Sequence, residues 1–220
     1  MDENTAREMA AQLRKPEGEA GLKTAAMMSQ GNAHMNRAAI KVVNPSANDN
    51  ILELGMANGS FINEIVSVHP SIQYTGVDFS ETMVYEASRL NGEWVEKGQV
   101  NLVFASASNL PFFEDNFSKI FTVNTIYFWD NESKVLAELS RVLAPGGKLI
   151  ISIRPRHQME KYPFTRFGFR MYSGKEVASL LKSAGYIDIE TFENREPSLE
   201  INGETYTMEN VVVTGIKAGD

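Results

Sequence analysis

The sequence predicts an α/β protein with a doubly wound, mostly parallel seven-stranded sheet, an antiparallel C-terminal strand and an N-terminal helical cover. Three observations predict it. From residue 50 onward, apolar runs of strand length alternate with amphipathic stretches of helix length, the pattern of a parallel sheet with helices on both faces. The last part of the chain changes to two strand-like runs joined across Asn202-Gly203, a hairpin turn signal that puts one strand antiparallel to its neighbour. Residues 1–45 carry no strand pattern.

The cover comes first. Met9 and Leu13 share a helix face before Lys15-Pro16-Glu17-Gly18 interrupts the chain,. A second helical segment runs from Leu22 to Val43 with Met27, Met28, Met35, Ile40 and Val43. Five of the ten methionines lie in the first 35 positions, which gives the cover an adaptable contact surface. Strand 1 is expected over 50–55, then a helix over 59–68 stopped by Pro70. Strand 2 covers 72–77, and Ser80 is placed to cap a helix from Glu81 to Trp94. Strand 3 covers 100–105, and Asn109 to Phe113 form an apolar loop. Strand 4 covers 118–124. The helix at 131–143 turns Val135, Leu136, Leu139, Val142 and Leu143 inward and ends at Ala144-Pro145-Gly146-Gly147. Strand 5 is Lys148 to Ile153, and a helix spans Gly174 to Ala184. Strands over 186–192 and 206–216 close the sheet.

The 220 residues allow one core,, read as residues 1–45 for the cover and 46–220 for a single ligand-binding domain. With 43% hydrophobic and 22% charged residues the composition is that of a globular protein,. A net charge of −7 argues against nucleic acid as a partner,. No cysteine is present, which removes disulfides, thiolate nucleophiles and Cys-based zinc sites. No carboxylate trio points to a metal. No stretch approaches the ~20 apolar residues of a membrane span, and the amino terminus lacks a basic, apolar leader. A cytoplasmic location is the expectation.

Glu53-Leu54-Gly55-Met56-Ala57-Asn58-Gly59 ends strand 1 in a loop of small residues, which lets a ligand approach the backbone,. Asp78, at the tip of strand 2, is placed to accept both hydroxyls of a ribose. With Gly76-Val77-Asp78-Phe79-Ser80 and Arg141-Val142-Leu143-Ala144-Pro145-Gly146-Gly147 in order, the chain resembles class I S-adenosylmethionine-dependent methyltransferases, a Rossmann-like family,. The branch it resembles is that of the ubiquinone and menaquinone C-methyltransferases.

The resemblance implies S-adenosylmethionine as cofactor and a small-molecule methyl acceptor. It implies that Glu53 orients the methionine amino group and that Gly55, Met56, Ala57 and Gly59 form the loop beneath the cofactor. It implies that Asp78 binds the ribose, that Phe79 and Met83 flank the adenine with Ser106 and Ala107, and that Asn124 and Thr125 stand beside the sulfonium. Two positions depart from the family pattern. Ala57 replaces a usual glycine, which is harmless only if its φ is negative. Ser106 replaces an acid, a weaker hydrogen-bond acceptor.

Transfer to an acceptor is an in-line displacement that demands alignment and exclusion of water. The sequence names no catalytic base; Tyr127, His34 and His157 are the candidates. Between 154 and 170, Arg154, Arg156, Lys161, Arg166 and Arg170 accompany a single acid, Glu160, among aromatic residues. This run predicts that Arg154 and Arg166, with Tyr127, face an aromatic or apolar acceptor bearing an anion. Two other readings remain open here. One is a nicotinamide-dependent oxidoreductase, for which Gly55-x-Ala57-x-x-Ser60 is a poor fingerprint. The other is a non-catalytic cofactor-binding protein.

Overall fold

The computed structural model describes residues 1–201 and 204–219. Its strands are β1 (Asn50–Leu54), β2 (Gln73–Asp78), β3 (Val100–Phe104), β4 (Phe117–Val123), β5 (Leu143–Ile153), β6 (Tyr186–Arg195), β7 (Leu199–Ile201), β8 (Glu204–Tyr206) and β9 (Glu209–Lys217). One sheet runs in the order β3-β2-β1-β4-β5-β9-β6, and β7 pairs with β8 apart from it. The first five strands are parallel. β9 inserts between β5 and β6 and is antiparallel to both. The turn expected at Asn202-Gly203 lies outside the described residues.

Alternating side chains of the strands serve two cores. Ile51, Phe121, Ile150 and Val212 meet Ala39, Ile40 and Val43 of α3 (Ala33–Val43) and Ile62, Ile65 and Val66 of α4 (Ile62–Val66). Leu52, Ile120, Leu149, Ile151 and Val213 meet α7 (Glu132–Val142) and α9 (Gly174–Ser183) on the other face. Helix α3 therefore belongs to the covering layer of the sheet, so the expected boundary at residue 45 cuts through a shared core. Among the described residues no helix is long and apolar enough to cross a membrane.

Several helices are shorter than their apolar periodicity implies. The segment expected from Leu22 to Val43 divides into α2 (Gly18–Gly31) and α3 at Asn32. The helix expected to reach Trp94 divides into α5 (Glu81–Leu90) and α6 (Gly92–Glu96) at Asn91. There the Asn91 amide donates to the Ala87 carbonyl at 2.9 Å and the Gly59 carbonyl at 3.1 Å, a side-chain bond that competes with the helix ladder. Pro145-Gly146-Gly147 falls inside β5, beside an irregularity in its pairing with β4. Ser80 does cap α5, accepting from Met83 N at 3.2 Å.

Three arginines of the basic run after β5 are paired with acids from distant sequence. Arg154 is 4% exposed and donates to Glu196 at 2.9 Å and to the Glu209 carbonyl at 3.1 Å. Asn210 donates to the same Glu196 oxygen at 3.0 Å. Arg156 pairs with Glu176, and Arg170 with Glu132. A charge count within 154–170 misses these partners because the fold brings them in. Removing one member of a buried pair leaves the other desolvated and unpaired, so Glu196→Ala should cost about 3–5 kcal/mol in urea unfolding. The apolar double replacement Arg154→Met with Glu196→Leu should recover most of that loss.

Candidate functional site

The strand order reverses between β1 and β4, and a crevice opens at the carboxyl ends of the strands there. It holds a cavity of about 420 Å³, within the ~300–1,000 Å³ usual for small-molecule sites. Its floor is made by the loops after β1, β2, β3 and β4, and its roof by the cover. The link between α1 (Glu3–Arg14) and α2 is pinned across the opening. Ser80 Oγ donates to the Pro16 carbonyl, and Gly18 N donates to Thr82 Oγ1 at 3.2 Å. Arg14 pairs with Asp130 on the opposite loop at 2.8 Å.

The loop after β1 is shaped by close approach. Gly55 has φ +76°, and a Cβ there would collide with Thr125 Cγ2. Gly59 is off the cavity; a Cβ would meet Ile62, Asn91 and Ala87, so its smallness serves helix packing. Ala57 does not meet the condition of a negative φ. Its φ is +50°, the left-handed region that costs an L-residue roughly 1–2 kcal/mol. Its N–H is aimed at Asp78 Oδ2, 3.0 Å away.

Two carboxylates face this loop from inside the protein. Asp78 is 7% exposed and accepts from Ala57 N and Ser80 N at 3.0 and 2.9 Å. Desolvation still pushes its pKa up to about 6, against the lowering effect of these amides. Glu53 is 5% exposed and accepts from the Tyr74 hydroxyl at 2.5 Å. Desolvation pushes its pKa up to about 7, the Tyr74 bond lowers it, and the nearby Asp78 charge adds to the rise. Neither acid has a cationic partner among the described residues.

The cavity also gathers Met56, Phe79, Ser106, Ala107, Asn124 and Thr125. It leaves out Met83, which is fully buried in α5. Tyr127, Arg154 and Arg166 are corrections: none of the three lines the cavity. Tyr127 packs in the core with its hydroxyl 2.9 Å from Asn124 Oδ1 and 2.6 Å from Arg154 N. Burial raises its pKa well above the ordinary value, which keeps it protonated and unfit as a base. Arg154 is spent on Glu196, and Arg166 is exposed. His34 and His157 are exposed and off the cavity as well, His157 lying 2.9 Å from Glu209.

Sequence reasoning overlooked the roof. Asn36, Asn32 and Ser29 face the cavity from the cover. One signal was available: Asn36 stands on the stripe of α3 shared by Ala39, Ile40 and Val43, where a polar residue is out of place.

The strain at Ala57 makes Ala57→Gly a stabilising change of about 1 kcal/mol, read from the urea midpoint at constant slope. The two acids give the ligand-free protein an inverted pH dependence. Their folded pKa values lie above their unfolded ones, so their contribution is full below the unfolded pKa and is lost as pH rises through the folded pKa. The melting temperature should therefore fall from about pH 5.5 to 7.5, and Glu53→Gln should flatten that slope. The paired carboxylates Asp49, Glu132, Glu138 and Glu176 are lowered instead and do not titrate in this window.

Comparison with known proteins agrees with this geometry. A family model described as a methyltransferase domain matches residues 52–151. An O-methyltransferase of Aspergillus sclerotiorum is 30% identical over 77% of this chain, which spans about two thirds (66%) of that protein's length. A ubiquinone/menaquinone biosynthesis C-methyltransferase of Desulfotalea psychrophila is 27% identical over 74% of this chain and 75% of its own. The crystal structure of a SAM-dependent methyltransferase from Aquifex aeolicus superposes with a TM-score of 0.68 at 17% identity, covering 89% of this chain and 98% of that one. On these similarities the chain belongs to the class I S-adenosylmethionine-dependent methyltransferases.

Proposed function

We propose that this chain methylates a small aromatic or apolar acceptor, with S-adenosylmethionine held across the ends of β1 and β2. The observation that carries the reading is the pair of buried acids. Glu53 and Asp78 are desolvated at the cavity with no cation of the protein beside them, which suits a ligand that brings its own ammonium and hydroxyl groups. The cavity volume and the collision-limited loop at Gly55 fit the same ligand.

In this reading Asp78 accepts the ribose hydroxyls and Glu53 serves the amino group. Gly55, Met56 and Ala57 supply the backbone cradle, with Ala57 N–H fixing Asp78 rather than the ligand. Phe79, Ser106 and Ala107 form the base pocket. Asn124 and Thr125 serve the reacting end. When bound, the cofactor supplies an electrophilic methyl group. The chain's own work is to align the acceptor and keep water out. Leu13, Met28, Phe128 and Trp129 give the remaining wall its apolar character. The basic residues of 154–170 lie off this wall; the cations that line the cavity are Arg14, paired with Asp130, and Lys134.

Calorimetry with S-adenosylhomocysteine tests the reading. Asp78→Asn should weaken binding by about tenfold or more, the effect of losing a charged hydrogen-bond acceptor. Because a bound ammonium favours ionised Glu53, binding near pH 6.5 should release protons, seen as a dependence of the heat on the buffer's ionisation enthalpy. Tight binding of NADH in place of S-adenosylhomocysteine would overturn the assignment.

A further inference from the structure

The roof of the cavity holds one buried polar atom that the cofactor reading does not use. Asn36 of α3 is 9% exposed and lines the cavity. Its amide nitrogen donates to the Asn32 carbonyl at 2.9 Å, which fixes the carboxamide and turns Oδ1 the other way. Among the described residues no group donates to that oxygen, and the sealed polar atoms without partners are the Ser152 and Tyr186 hydroxyls. Asn36 Oδ1 is therefore not sealed in the protein, and its residue lines the cavity. A largely desolvated amide oxygen without a donor is costly, and a ligand's X–H group would satisfy it.

The helix that carries Asn36 is held rigidly. Met35 beside it is fully buried, and its sulfur accepts from Asn124 Nδ2 at 3.1 Å. Ala39, Ile40 and Val43 fix the next turns on the sheet. A polar atom on such a support is preorganised. Met28, Phe128 and Trp129 contribute apolar surface to the same cavity, suited to a planar apolar body.

Resting on the methyl-transfer reading, we infer that Asn36 Oδ1 receives the hydrogen of the acceptor's nucleophile. The acceptor is then a planar apolar compound bearing an uncharged O–H or aryl N–H. A carboxylate has no hydrogen to donate, an ammonium has no lone pair to attack with, and a carbon nucleophile donates weakly. In the transfer, the oxygen or nitrogen lone pair forms the bond to the methyl carbon. The methyl–sulfur pair stays with sulfur, and the hydrogen leaves as a proton to solvent. An amide oxygen is too weak a base to keep that proton, so Asn36 orients the nucleophile.

Binding to the S-adenosylhomocysteine-saturated protein provides the test, with naphthol, naphthoate and fluoronaphthalene as probes of one shape. Naphthol should bind about five- to tenfold more tightly than the other two, the value of one hydrogen bond. Asn36→Leu should erase that preference and keep S-adenosylhomocysteine affinity within about twofold. Equal binding of the three probes, or no binding of naphthol, overturns the inference. So does a loss of S-adenosylhomocysteine affinity in Asn36→Leu with the naphthol preference intact, because Asn36 would then serve the cofactor. Failure of the wild-type protein to bind S-adenosylhomocysteine is a separate result, and it would remove the methyl-transfer reading itself.

Discussion

Glu53 and Asp78 are held out of water at the ends of adjacent strands, and the structure around them works to offset the cost. Desolvation is the largest influence on both acids and raises both. Each receives partial relief from fixed donors: the Tyr74 hydroxyl for Glu53, and the Ala57 and Ser80 amides for Asp78. Placing the Ala57 amide requires a left-handed backbone at a residue with a Cβ. The strain there is thus a consequence of the acid it serves, and such local strain persists only where its surroundings over-determine it.

The same constraint explains why the cover matters. A crevice open to bulk water would hydrate both acids and weaken their hold on a ligand's charge. The α1–α2 link closes the opening through backbone and side-chain bonds to Ser80, Thr82 and Asp130. Beneath it, Met35 ties α3 to Asn124, and Arg154 lies 3.6 Å from the same sulfur while pairing with Glu196. Roof and floor are therefore joined by a buried polar network. Its members stand next to the cavity but act by holding Asn124 and α3 in place.

Ala57 and the arginines illustrate two kinds of error in reading residues without coordinates. At Ala57 the residue type was plain and its conformation was not, because φ depends on what the loop must reach. At Arg154 the local charge count was right and the inference drawn from it was not. Glu196, Glu176 and Glu132 arrive from elsewhere in the chain to pair with Arg154, Arg156 and Arg170, and no local window contains them.

Period and punctuation in the sequence determined the alternation of strands and helices, the antiparallel closing strand, the Ser80 cap and the position of both acids at strand ends. These are short-range properties, set by backbone geometry and the demand that apolar faces be covered. Tertiary structure alone decided the roof of the cavity, the burial that raises Glu53 and Asp78, and the retreat of Tyr127, Arg154 and Met83 from the site. It also decided that Asn36, far from any recognised motif, shares a cavity with Asp78. Burial and ion pairing depend on which distant segments meet. That information is spread over the whole chain, and only folding brings it to one place.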